Sequence, residues 1–342
     1  MLVVMKETAS EAEIQAVVTK LETVPSLHGQ RIDGQDLVVV AAVGDTAAVE
    51  GLGLEQLGGV DRVVAISKPY KLASSEIGQQ KPLHIAGRQV GGGTFTIIAG
   101  PCTVESRQQT LETAAAVKAG GADMLRGGAY KPRTSPFAFR GLGEEGLQIL
   151  QEARQQTGLP IVTELVDIKN VDLVSEFADV IQIGARNMQN YALLEVAGKS
   201  GIPVLLKRGL SSTLNELLQA ADYILKEGNE NVMLCERGIR TFDTAMRFTL
   251  DLGSVPWLKS QTHLPVIVDP SHAAGERRYV TPLSRAAAAV GADGIIVEVH
   301  QDPSQAVCDA AQQLYAADFA DFAQQIRAVA EIIQPSSPQS IS

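Results

Sequence analysis

Cysteine is scarce in this sequence of 342 residues, which contains only Cys102, Cys235 and Cys308. Three cysteines are too few for a disulfide framework in a chain of this length, so each is expected to be a core residue, a ligand or a nucleophile. Long apolar runs are also missing, since no stretch approaches the roughly 20 residues that a membrane-spanning helix needs. The first residues include acids, which are not typical of a signal or transit peptide. These absences favour a globular protein in the cytoplasm with no membrane partner.

Positive charge is also in short supply, with 29 lysines and arginines against 39 aspartates and glutamates and a formal net charge of -10. This balance argues against nucleic acid and anionic membranes as general partners. A cluster of cations is therefore more informative here than in a basic protein. Residues 125–136 read L-R-G-G-A-Y-K-P-R-T-S-P and place Arg126, Lys131 and Arg133 beside two glycines. These side chains make charge-assisted hydrogen bonds to oxyanions, and the glycines let the backbone approach a ligand, so the stretch predicts a phosphate site.

The first 66 residues predict a small α+β domain. Apolar runs at 2–5, 27–32, 37–43 and 60–66 are typical of strands, and 10–21 has helical spacing behind an N-cap serine. With a short helix before the last strand, this order is that of a ferredoxin-like split βαβ fold. It contains no cluster of catalytic residue types, which favours a regulatory or assembly module.

The segments on either side of the main domain are polar. Residues 67–93 are interpreted as a linker with a small hairpin around Gly87, because glycine and polar residues dominate there. Residues 334–342 are rich in serine, proline and glutamine and predict a disordered tail. The main domain is therefore expected to span residues 94–333.

Residues 94–333 alternate between strand-like apolar runs and amphipathic helical patterns. The predicted strands are 95–99, 124–126, 161–164, 180–183, 204–207, 232–235, 266–268 and 294–298. The predicted helices include 108–119, 144–156, 191–200, 213–226, 244–252 and 282–290. Eight such units in a region of this length are typical of a (β/α)8 TIM barrel. A doubly wound sheet remains an alternative, although no G-x-G-x-x-G motif follows the first strand.

The carboxyl ends of the strands carry the active site in a TIM barrel, and every predicted strand here ends at a charged or reactive residue. These residues are Cys102, Arg126, Glu164, Arg186, Lys207 with Arg208, Glu236 with Arg237, Asp269 with His272, and Glu298. Six cations would meet at the barrel mouth, namely Arg126, Lys131, Arg133, Arg186, Lys207 and Arg237. They would repel one another unless ligand charge offset them, so phosphorylated small molecules with at least two anionic groups are expected as substrates.

The same strand ends predict a metal site. Cys102, His272 and Glu298, with an acid from the segment after the last strand, offer one soft, one borderline and two hard ligands. Such a set suits Mn, Fe, Co or Zn better than Mg. Asp309 is chosen as that acid, although Asp302 is nearer in the sequence and spacing alone does not separate the two.

Each of these ligands also has a structural interpretation. A single cysteine or histidine after a strand is more often a core residue, and only the combination of four ligand types at barrel ends favours a metal. His300 is a reserve ligand because it follows Glu298 by two residues and points to the same face. Cys235 and Cys308 are interpreted as structural.

Several motifs together resemble a known enzyme family. They are G-P-C-T-V-E-S (100–106), L-R-G-G-A-Y-K-P-R-T-S-P (125–136), I-G-A-R-N-M-Q-N (183–190), K-R-G (207–209), C-E-R-G-I-R (235–240) and D-P-S-H (269–272). From about residue 83 to residue 333 the chain resembles 3-deoxy-D-arabino-heptulosonate 7-phosphate (DAHP) synthase. Its first 66 residues resemble the ferredoxin-like extension found in one branch of the type I enzymes.

The resemblance leaves one close alternative. The 3-deoxy-D-manno-octulosonate 8-phosphate synthases, which take arabinose 5-phosphate, share the barrel, the metal site and phosphoenolpyruvate. The loop K-P-R-T-S at 131–135 resembles that of the DAHP enzymes, whereas the octulosonate enzymes have an Asn-Arg-Ser-Ser type of loop there. The DAHP synthase assignment is therefore preferred.

The resemblance implies condensation of phosphoenolpyruvate with D-erythrose 4-phosphate, the first step of the shikimate pathway to chorismate and the aromatic amino acids. The residues implied in phosphoenolpyruvate binding are Arg126, Lys131, Gly184, Ala185, Arg186, Lys207 and Arg237. Those implied for erythrose 4-phosphate are Arg133, Thr134, Ser135 and Asp269, and the catalytic residues would be Lys131, Glu164 and His272. The metal ligands would be Cys102, His272, Glu298 and Asp309, with Glu164 positioning a water molecule.

Control, assembly and rival functions complete the expectations. The resemblance suggests a homotetramer, and the first domain could close over the barrel mouth on a mobile linker when it binds tyrosine or phenylalanine. The family's Ser-Asp-Gly is replaced by Cys308-Asp309-Ala310, which leaves open whether Cys308 alters the metal site. A class II aldolase would be expected to use several histidine ligands, and a non-catalytic regulatory protein would have a broken ligand set.

Overall fold

The barrel follows the predicted order of strands. A computed structural model describes residues 1–34, 37–44, 46–64, 68–132, 135 and 137–333, so the predicted tail at 334–342 lies outside the described residues. The barrel strands are β7 (Thr96–Gly100), β8 (Met124–Arg126), β9 (Ile161–Glu164), β10 (Val180–Ile183), β11 (Val204–Lys207), β12 (Val232–Glu236), β13 (Val266–Val268) and β14 (Gly294–His300). All neighbours pair in parallel, and β14 pairs with both β13 and β7, which closes the barrel. The predicted TIM barrel is confirmed, and the doubly wound sheet is excluded.

Helices follow the barrel strands, and most of them cover the outside of the barrel, whereas the short helix Pro270–Ala274 carries His272 at the mouth. They are α2 (Arg107–Ala119), α3 (Glu144–Thr157), α4 (Val171–Phe177), α5 (Tyr191–Lys199), α6 (Leu214–Leu225), α7 (Ser254–Gln261), α8 (Pro270–Ala274), α9 (Arg277–Ala289) and α10 (Phe319–Ile333). The apolar faces of these helices and the outward-facing strand residues form one large buried core. Among the described residues, none of the helices combines the length and apolar character that a membrane crossing requires.

The helix predicted at 244–252 is wrong. The backbone of this segment pairs with distant parts of the chain instead, because Thr249 and Ile239 exchange both backbone hydrogen bonds and the Phe248 N–H donates to the Ala273 carbonyl. These partners satisfy groups that a helix would have bonded internally. The helix of this unit begins later, at Ser254.

The first domain has the predicted ferredoxin-like fold. Its elements are β1 (Leu2–Met5), α1 (Glu11–Glu22), β2 (Leu27–Asp33), β3 (Val38–Gly44) and β4 (Val60–Val64), and the antiparallel sheet has the order β2-β3-β1-β4. Ser10 and Glu13 form a capping box that starts α1, and the apolar face of α1 packs on one side of the sheet. Two 3-10 turns, Thr46–Leu52 and Leu54–Gln56, stand where a short helix was predicted.

The predicted hairpin covers the end of the barrel at which the strands begin. It consists of β5 (Leu83–Ile85) and β6 (Arg88–Val90), joined by Ala86 and Gly87, which both have positive φ. Ile85 and Val90 pack against the inward-facing residues of the barrel strands. The hairpin therefore covers the amino-terminal end of the barrel interior, and a cavity opens at the carboxyl ends of the strands.

The segment between the two domains is anchored to the barrel over residues 70–77. Tyr70, Ala73 and Ile77 are buried, and Asp222 of α6 accepts hydrogen bonds from the backbone N–H groups of Lys71 (2.5 Å) and Ala73 (2.8 Å). A buried carboxylate therefore holds the backbone of this part of the predicted linker, and the mobility of the linker stays a prediction.

The ferredoxin-like domain lies away from the barrel mouth. The face of its sheet opposite α1, formed by Leu2, Val4 and Val39, packs with Ile77 of the connecting segment. A cavity of about 860 Å³ separates this domain from the barrel, and Asn231 and Pro265, at the starts of β12 and β13, line it. The described arrangement is therefore an open one, and closure of this domain over the mouth stays a prediction.

Replacing Asp222 with alanine is expected to lower the free energy of unfolding by about 3 kcal/mol, because at least two backbone N–H groups would lose a buried acceptor. Burial raises the pKa of Asp222 to about 6, so the folded chain binds this proton more tightly than the unfolded chain. The contribution of this group to stability therefore falls as the pH rises from 3.8 to about 6. Urea unfolding at several pH values measures both effects.

Asp222→Asn is the control for this prediction. Asparagine keeps one carbonyl acceptor and carries no charge, so its loss of stability should be smaller than that of Asp222→Ala and should not depend on pH over the same range. Equal stability of Asp222→Ala and the wild type would show that the connecting segment is held by its apolar contacts alone.

Candidate active site

A cavity of about 320 Å³ opens at the carboxyl ends of the barrel strands. Its charged and titratable lining residues are Lys131, Glu164, Arg186, Lys207, Arg237, Arg247, His272 and Asp309. Most of these were predicted as strand-end residues, because successive parallel strands deliver their last residues to the same edge. The predicted Gly184, Ala185 and Ser135 also line the cavity, whereas Arg133 and Thr134 lie outside the described residues.

Three predicted ligands meet beneath the cavity. One ligand atom from each of Cys102, Glu298 and Asp309 lies within 4.8 Å of the other two. Cys102 and Glu298 are buried, and the Cys102 Sγ lies 3.3 Å from the Asp309 Oδ2. A thiol and two carboxylates this close together repel one another when ionised, so the cluster suits a cation.

His272 borders this cluster in a fixed orientation. Its Nδ1 lies 2.7 Å from the Asp269 Oδ2, and its Nε2 lies 3.4 Å from the Glu298 Oε1. Burial lowers the pKa of His272, so the neutral ring donates its Nδ1–H to Asp269 and turns the Nε2 lone pair towards Glu298. Two acceptors then face each other, which is the arrangement that a metal ion between them relieves.

Of the two acids that follow the last strand, Asp309 is the one that lies at the ligand cluster. Asp309 has a left-handed backbone (φ 50°) and faces the cluster, whereas Asp302 is exposed and its Oδ1 accepts hydrogen bonds from Ser304. The reserve ligand His300 is directed elsewhere, because its Nδ1 accepts the Asp302 N–H and its Nε2 lies 3.5 Å from Glu105. Spacing in the sequence could not make this distinction.

Cys308 is closer to the cluster than its structural interpretation implied. Its Sγ lies 3.5 Å from the Cys102 Sγ and 2.7 Å from the Thr103 hydroxyl. Burial and the hydrogen bond with Cys308 raise the pKa of Cys102, and the same bond lowers the pKa of Cys308 to about 6. Cys308 is therefore the more acidic thiol of the pair, and it lies beside the ligand cluster.

Carboxylates offset several of the predicted cations. Arg126 donates to the Glu298 Oε1 at 2.7 Å, and Lys207 forms a buried ion pair with Asp269. Asp269 was predicted to orient either the aldose or a metal ligand by hydrogen bonding. It is 1% exposed and contacts Lys207 and the predicted ligand His272, so these contacts agree with the second alternative, and binding of the aldose stays a prediction.

Lys131 lies between the cluster and the cavity. Its Nζ lies 2.6 Å from the Cys102 Sγ and 3.4 Å from the Asp309 Oδ2. Burial opposes its charge, but Cys102 and Glu298 outweigh burial and raise the pKa of Lys131, which therefore stays protonated. It is a fixed positive charge at the floor of the cavity.

Two guanidinium nitrogens at the site have no hydrogen-bond partner among the described residues. They are Nε of Arg126 and Nη1 of Arg237, and both are buried. The Arg237 guanidinium instead lies 4.5 Å from the centre of the Phe248 ring, and burial lowers its pKa. Buried donors without partners are rare in proteins and mark places where a ligand can bind.

Arg208 and Glu236, which were counted among the strand-end residues, do not line the cavity. Arg208 Nη1 pairs with Glu236 (2.8 Å) and with Asp251 (2.9 Å). Neighbouring residues of a strand face opposite sides, so Lys207 and Arg237 face the mouth while Arg208 and Glu236 face the helices. This ion-pair group connects β11 and β12 to the loop before α7.

Glu164 is the predicted water-positioning residue. It lines the cavity beside Gln182, whose Nε2 lies 3.3 Å from its Oε2. Burial raises the pKa of Glu164, although Lys131 and other cations of the site oppose this shift. Gly184 packs against this carboxylate, since a Cβ there would lie 2.1 Å from the Glu164 Oε1.

Replacing Gly184 with alanine is expected to lower kcat about 10- to 100-fold, because the added methyl group would displace the Glu164 carboxylate by an ångström or more. The free energy of unfolding should change by less than about 1 kcal/mol, since the end of a flexible side chain can move. Steady-state kinetics and urea unfolding measure the two effects. Gly51→Ala, whose Cβ meets nothing within 4 Å, is the matched control. Unchanged kcat in Gly184→Ala would remove Glu164 from the mechanism.

Arg247, Phe248 and Gln312 belong to the site and were missed as functional residues. Arg247 and Phe248 lie in the segment that was predicted to be a helix, and helical spacing gave no reason to direct them to the mouth. Gln312 was given no role in the site by the sequence. The signal that could have found Gln312 is its position three residues after a predicted ligand, in a segment that must return to the barrel.

Comparisons with known proteins place the chain among enzymes of one reaction type. The family model described as "DAHP synthetase I family" matches residues 52–335, and the one described as "DAHP synthase ferredoxin-like domain" matches residues 1–68. A phospho-2-dehydro-3-deoxyheptonate aldolase from Thermotoga maritima is 47% identical, and the match covers 97% of this chain and 98% of that protein. A 2-dehydro-3-deoxyphosphooctonate aldolase from Syntrophotalea carbinolica is 36% identical over 68% of this chain and 90% of its own length.

Solved structures give the same result. A crystal structure of the DAHP synthase from Thermotoga maritima superposes with a TM-score of 0.77 at 46% identity and covers 97% of this chain and 98% of its own. A truncated form of the enzyme from that organism covers 78% of this chain and 98% of its own, with a TM-score of 0.73. The likeness therefore includes both domains described above.

Proposed function

The chain belongs to the DAHP synthetase I family, and on that basis we propose that its barrel condenses phosphoenolpyruvate with D-erythrose 4-phosphate. The products would be 3-deoxy-D-arabino-heptulosonate 7-phosphate and inorganic phosphate, which is the first step of the shikimate pathway. The alternative octulosonate synthase is less favoured, because those relatives are less similar and match the chain over about two thirds of its length.

The observation that carries the proposal is the pair of unpartnered buried guanidinium nitrogens of Arg126 and Arg237 beside the ligand cluster. Phosphoenolpyruvate has a carboxylate and a phosphate, and each can accept charge-assisted hydrogen bonds. Arg126, Arg186, Lys207 and Arg237, with the backbone at Gly184 and Ala185, would hold these groups and fix the plane of the enol. Ser135, with Arg133 and Thr134, would bind the phosphate of the aldose.

Cys102, His272, Glu298 and Asp309 would hold the metal ion. The donor set fits, because a thiol and two carboxylates converge and the Nε2 lone pair of His272 faces Glu298. A thiol ligand favours Mn, Fe, Co or Zn over Mg. When bound, such an ion supplies Lewis-acid polarisation of an oxygen in the site.

The reaction requires a carbon–carbon bond between C3 of the enol and the aldehyde carbon of erythrose 4-phosphate. Positive charge develops at C2, water adds there, and the C2–O bond to phosphate breaks as the oxygen of that water becomes the C2 carbonyl. Of the two protons of the water, one ends on the alkoxide formed from the aldehyde and the other on the departing phosphate. Glu164 would hold this water and accept its proton, since burial raises the pKa of Glu164 and makes it a stronger base than a solvated carboxylate. Lys131 would keep its charge beside the reacting groups and stabilise the developing alkoxide.

Control and assembly extend the proposal. We propose that residues 1–66 form a regulatory domain whose effector is tyrosine or phenylalanine, that residues 94–333 form the catalytic unit, and that four copies assemble as a homotetramer in the cytoplasm. Among the described residues of the ferredoxin-like domain, no group of three metal-ligating side chains converges, which supports a regulatory role for the domain.

The test is an assay of the full chain with phosphoenolpyruvate and either erythrose 4-phosphate or arabinose 5-phosphate. Loss of phosphoenolpyruvate absorbance and release of phosphate are followed with Mn²⁺ and with a chelator. Turnover of erythrose 4-phosphate alone, and only with metal, is expected. Turnover of arabinose 5-phosphate would identify an octulosonate synthase, and turnover in the presence of the chelator would contradict the metal site.

A further inference from the structure

Gln312 connects the ligand cluster to the barrel mouth. It is 1% exposed, its Nε2 donates to the Glu298 Oε2 at 2.6 Å, and its Oε1 accepts a hydrogen bond from the Arg247 Nη1 at 2.8 Å. The two partners fix the orientation of the amide, since only its nitrogen can donate to a carboxylate and only its oxygen can accept from a guanidinium. With Arg126 on Oε1, both oxygens of Glu298 are then held by hydrogen bonds.

Arg247 is the outer member of this connection. Its guanidinium lines the cavity, lies 3.3 Å from the Asp309 Oδ1 and lies 5.8 Å from the centre of the Phe248 ring. Among the described residues both of its hydrogen bonds use Nη1, which leaves the N–H groups of Nε and Nη2 for a ligand. The side chain is 38% exposed, so an anion in the mouth can reach it.

We propose that Gln312 positions Glu298 for the metal ion and connects it to Arg247, a further anion-binding residue, so that metal binding and substrate-anion binding are coupled. This inference rests on the metal site of the proposed function. An anion on Arg247 weakens the attraction between this guanidinium and Asp309, which frees that carboxylate for the metal. The amide carries the same change to Glu298, because it contacts both groups directly.

The experiment measures Mn²⁺ binding to the metal-free full chain, from the electron paramagnetic resonance signal of free Mn²⁺, with and without phosphoenolpyruvate. The first variant is Gln312→Met, which keeps the volume of the side chain but removes its amide. The second is Arg247→Gln, which removes the guanidinium and leaves residue 312 unchanged. Gln305→Met, a change of the same kind at an exposed position of the same segment, is the control. Thermal melting of the metal-free variants reports on folding.

In the wild type, phosphoenolpyruvate is expected to tighten Mn²⁺ binding by about 5-fold or more, the range typical of coupled sites. Gln312→Met should weaken Mn²⁺ binding about 10- to 100-fold, as loss of a group that orients a ligand does, and should reduce the gain from phosphoenolpyruvate. Arg247→Gln should reduce that gain and raise the KM of an anionic substrate. The double variant should lose no more of the gain than the more affected single variant, because both changes break one connection.

Two results would overturn the inference. One is Mn²⁺ affinity in folded Gln312→Met equal to that of the control, and the other is an undiminished gain from phosphoenolpyruvate in Arg247→Gln. If Gln312→Met does not fold, the Arg247→Gln result decides. Failure of the wild type to bind Mn²⁺, or a Mn²⁺ affinity in Cys102→Ala equal to that of the wild type, would instead contradict the metal site itself and the inference with it.

Discussion

Replacing Cys102 with alanine is expected to lower metal-dependent turnover by more than about 100-fold, which is the upper range for losing a group that only supports a ligand. Cys102 would provide the soft ligand of the set, and its Sγ lies within 4.8 Å of both carboxylate ligands. The remaining carboxylates and imidazole would still attract divalent ions, but with lower affinity for thiophilic ones. Metal content after dialysis and turnover with Mn²⁺, Co²⁺ and Zn²⁺ measure the effect.

Cys235→Ala is the matched control for this prediction. Cys235 is equally buried but faces the barrel interior among Met233, Ile267 and other apolar residues. Its replacement should cost about 1 kcal/mol of stability through a small cavity and should leave the metal content unchanged. If Cys102→Ala retains wild-type metal content and activity, Cys102 is a core residue and the assigned ligand set is incorrect.

The barrel could be predicted because its strands are short apolar runs whose ends are marked by charged residues. The set of residues at the barrel mouth could be predicted from the topology, since parallel strands bring their carboxyl ends together. Lys207 and Arg208 were both named as residues at the end of one strand, and in the structure Lys207 lines the mouth while Arg208 pairs with Glu236. The alternation of side chains along a strand contained this information.

The loop residues could not be predicted in the same way. Phe248 and Arg247 reach the mouth because their backbone pairs with Ala273 and Ala274, which lie about two dozen residues away in the chain. Apolar spacing within the segment indicated a helix, and no local signal competes with that pattern. Long-range pairing overrides local propensity here, as it commonly does at functional loops.

Several cations of the site are already paired with carboxylates in the absence of substrate. The cations were expected to repel one another until substrate arrived, but carboxylates of the site already hold Arg126, Lys131 and Lys207. Glu298 and Asp309 would turn to the metal ion when it binds, and this would release Arg126 and Lys131 for the anions of the substrate. Metal and substrate should therefore bind more tightly together than alone.

Replacing Glu164 with glutamine is expected to lower kcat by about 10²- to 10⁴-fold, the usual contribution of a general base, with a smaller effect on the KM of phosphoenolpyruvate. The carboxylate form is the active one, and burial raises the pKa of Glu164. A raised pKa means that protonation begins at higher pH, so wild-type activity should be lost as the pH falls through a range above that of an ordinary glutamate. The acidic limb should be absent from the profile of Glu164→Gln.

The acidic limb should lie at different pH values in the profiles of kcat and of kcat/KM. In the free enzyme, four cations oppose the rise in the pKa of Glu164. These cations are Lys131, Lys207, Arg126 and Arg186. Bound phosphoenolpyruvate offsets their charge, so the pKa of Glu164 should be higher in the complex than in the free enzyme. The acidic limb of kcat should then lie at higher pH than that of kcat/KM, which reports the free enzyme. Glu176→Gln, at an exposed position of α4, should keep both limbs. An acidic limb that persists in Glu164→Gln would assign the proton transfer to another group.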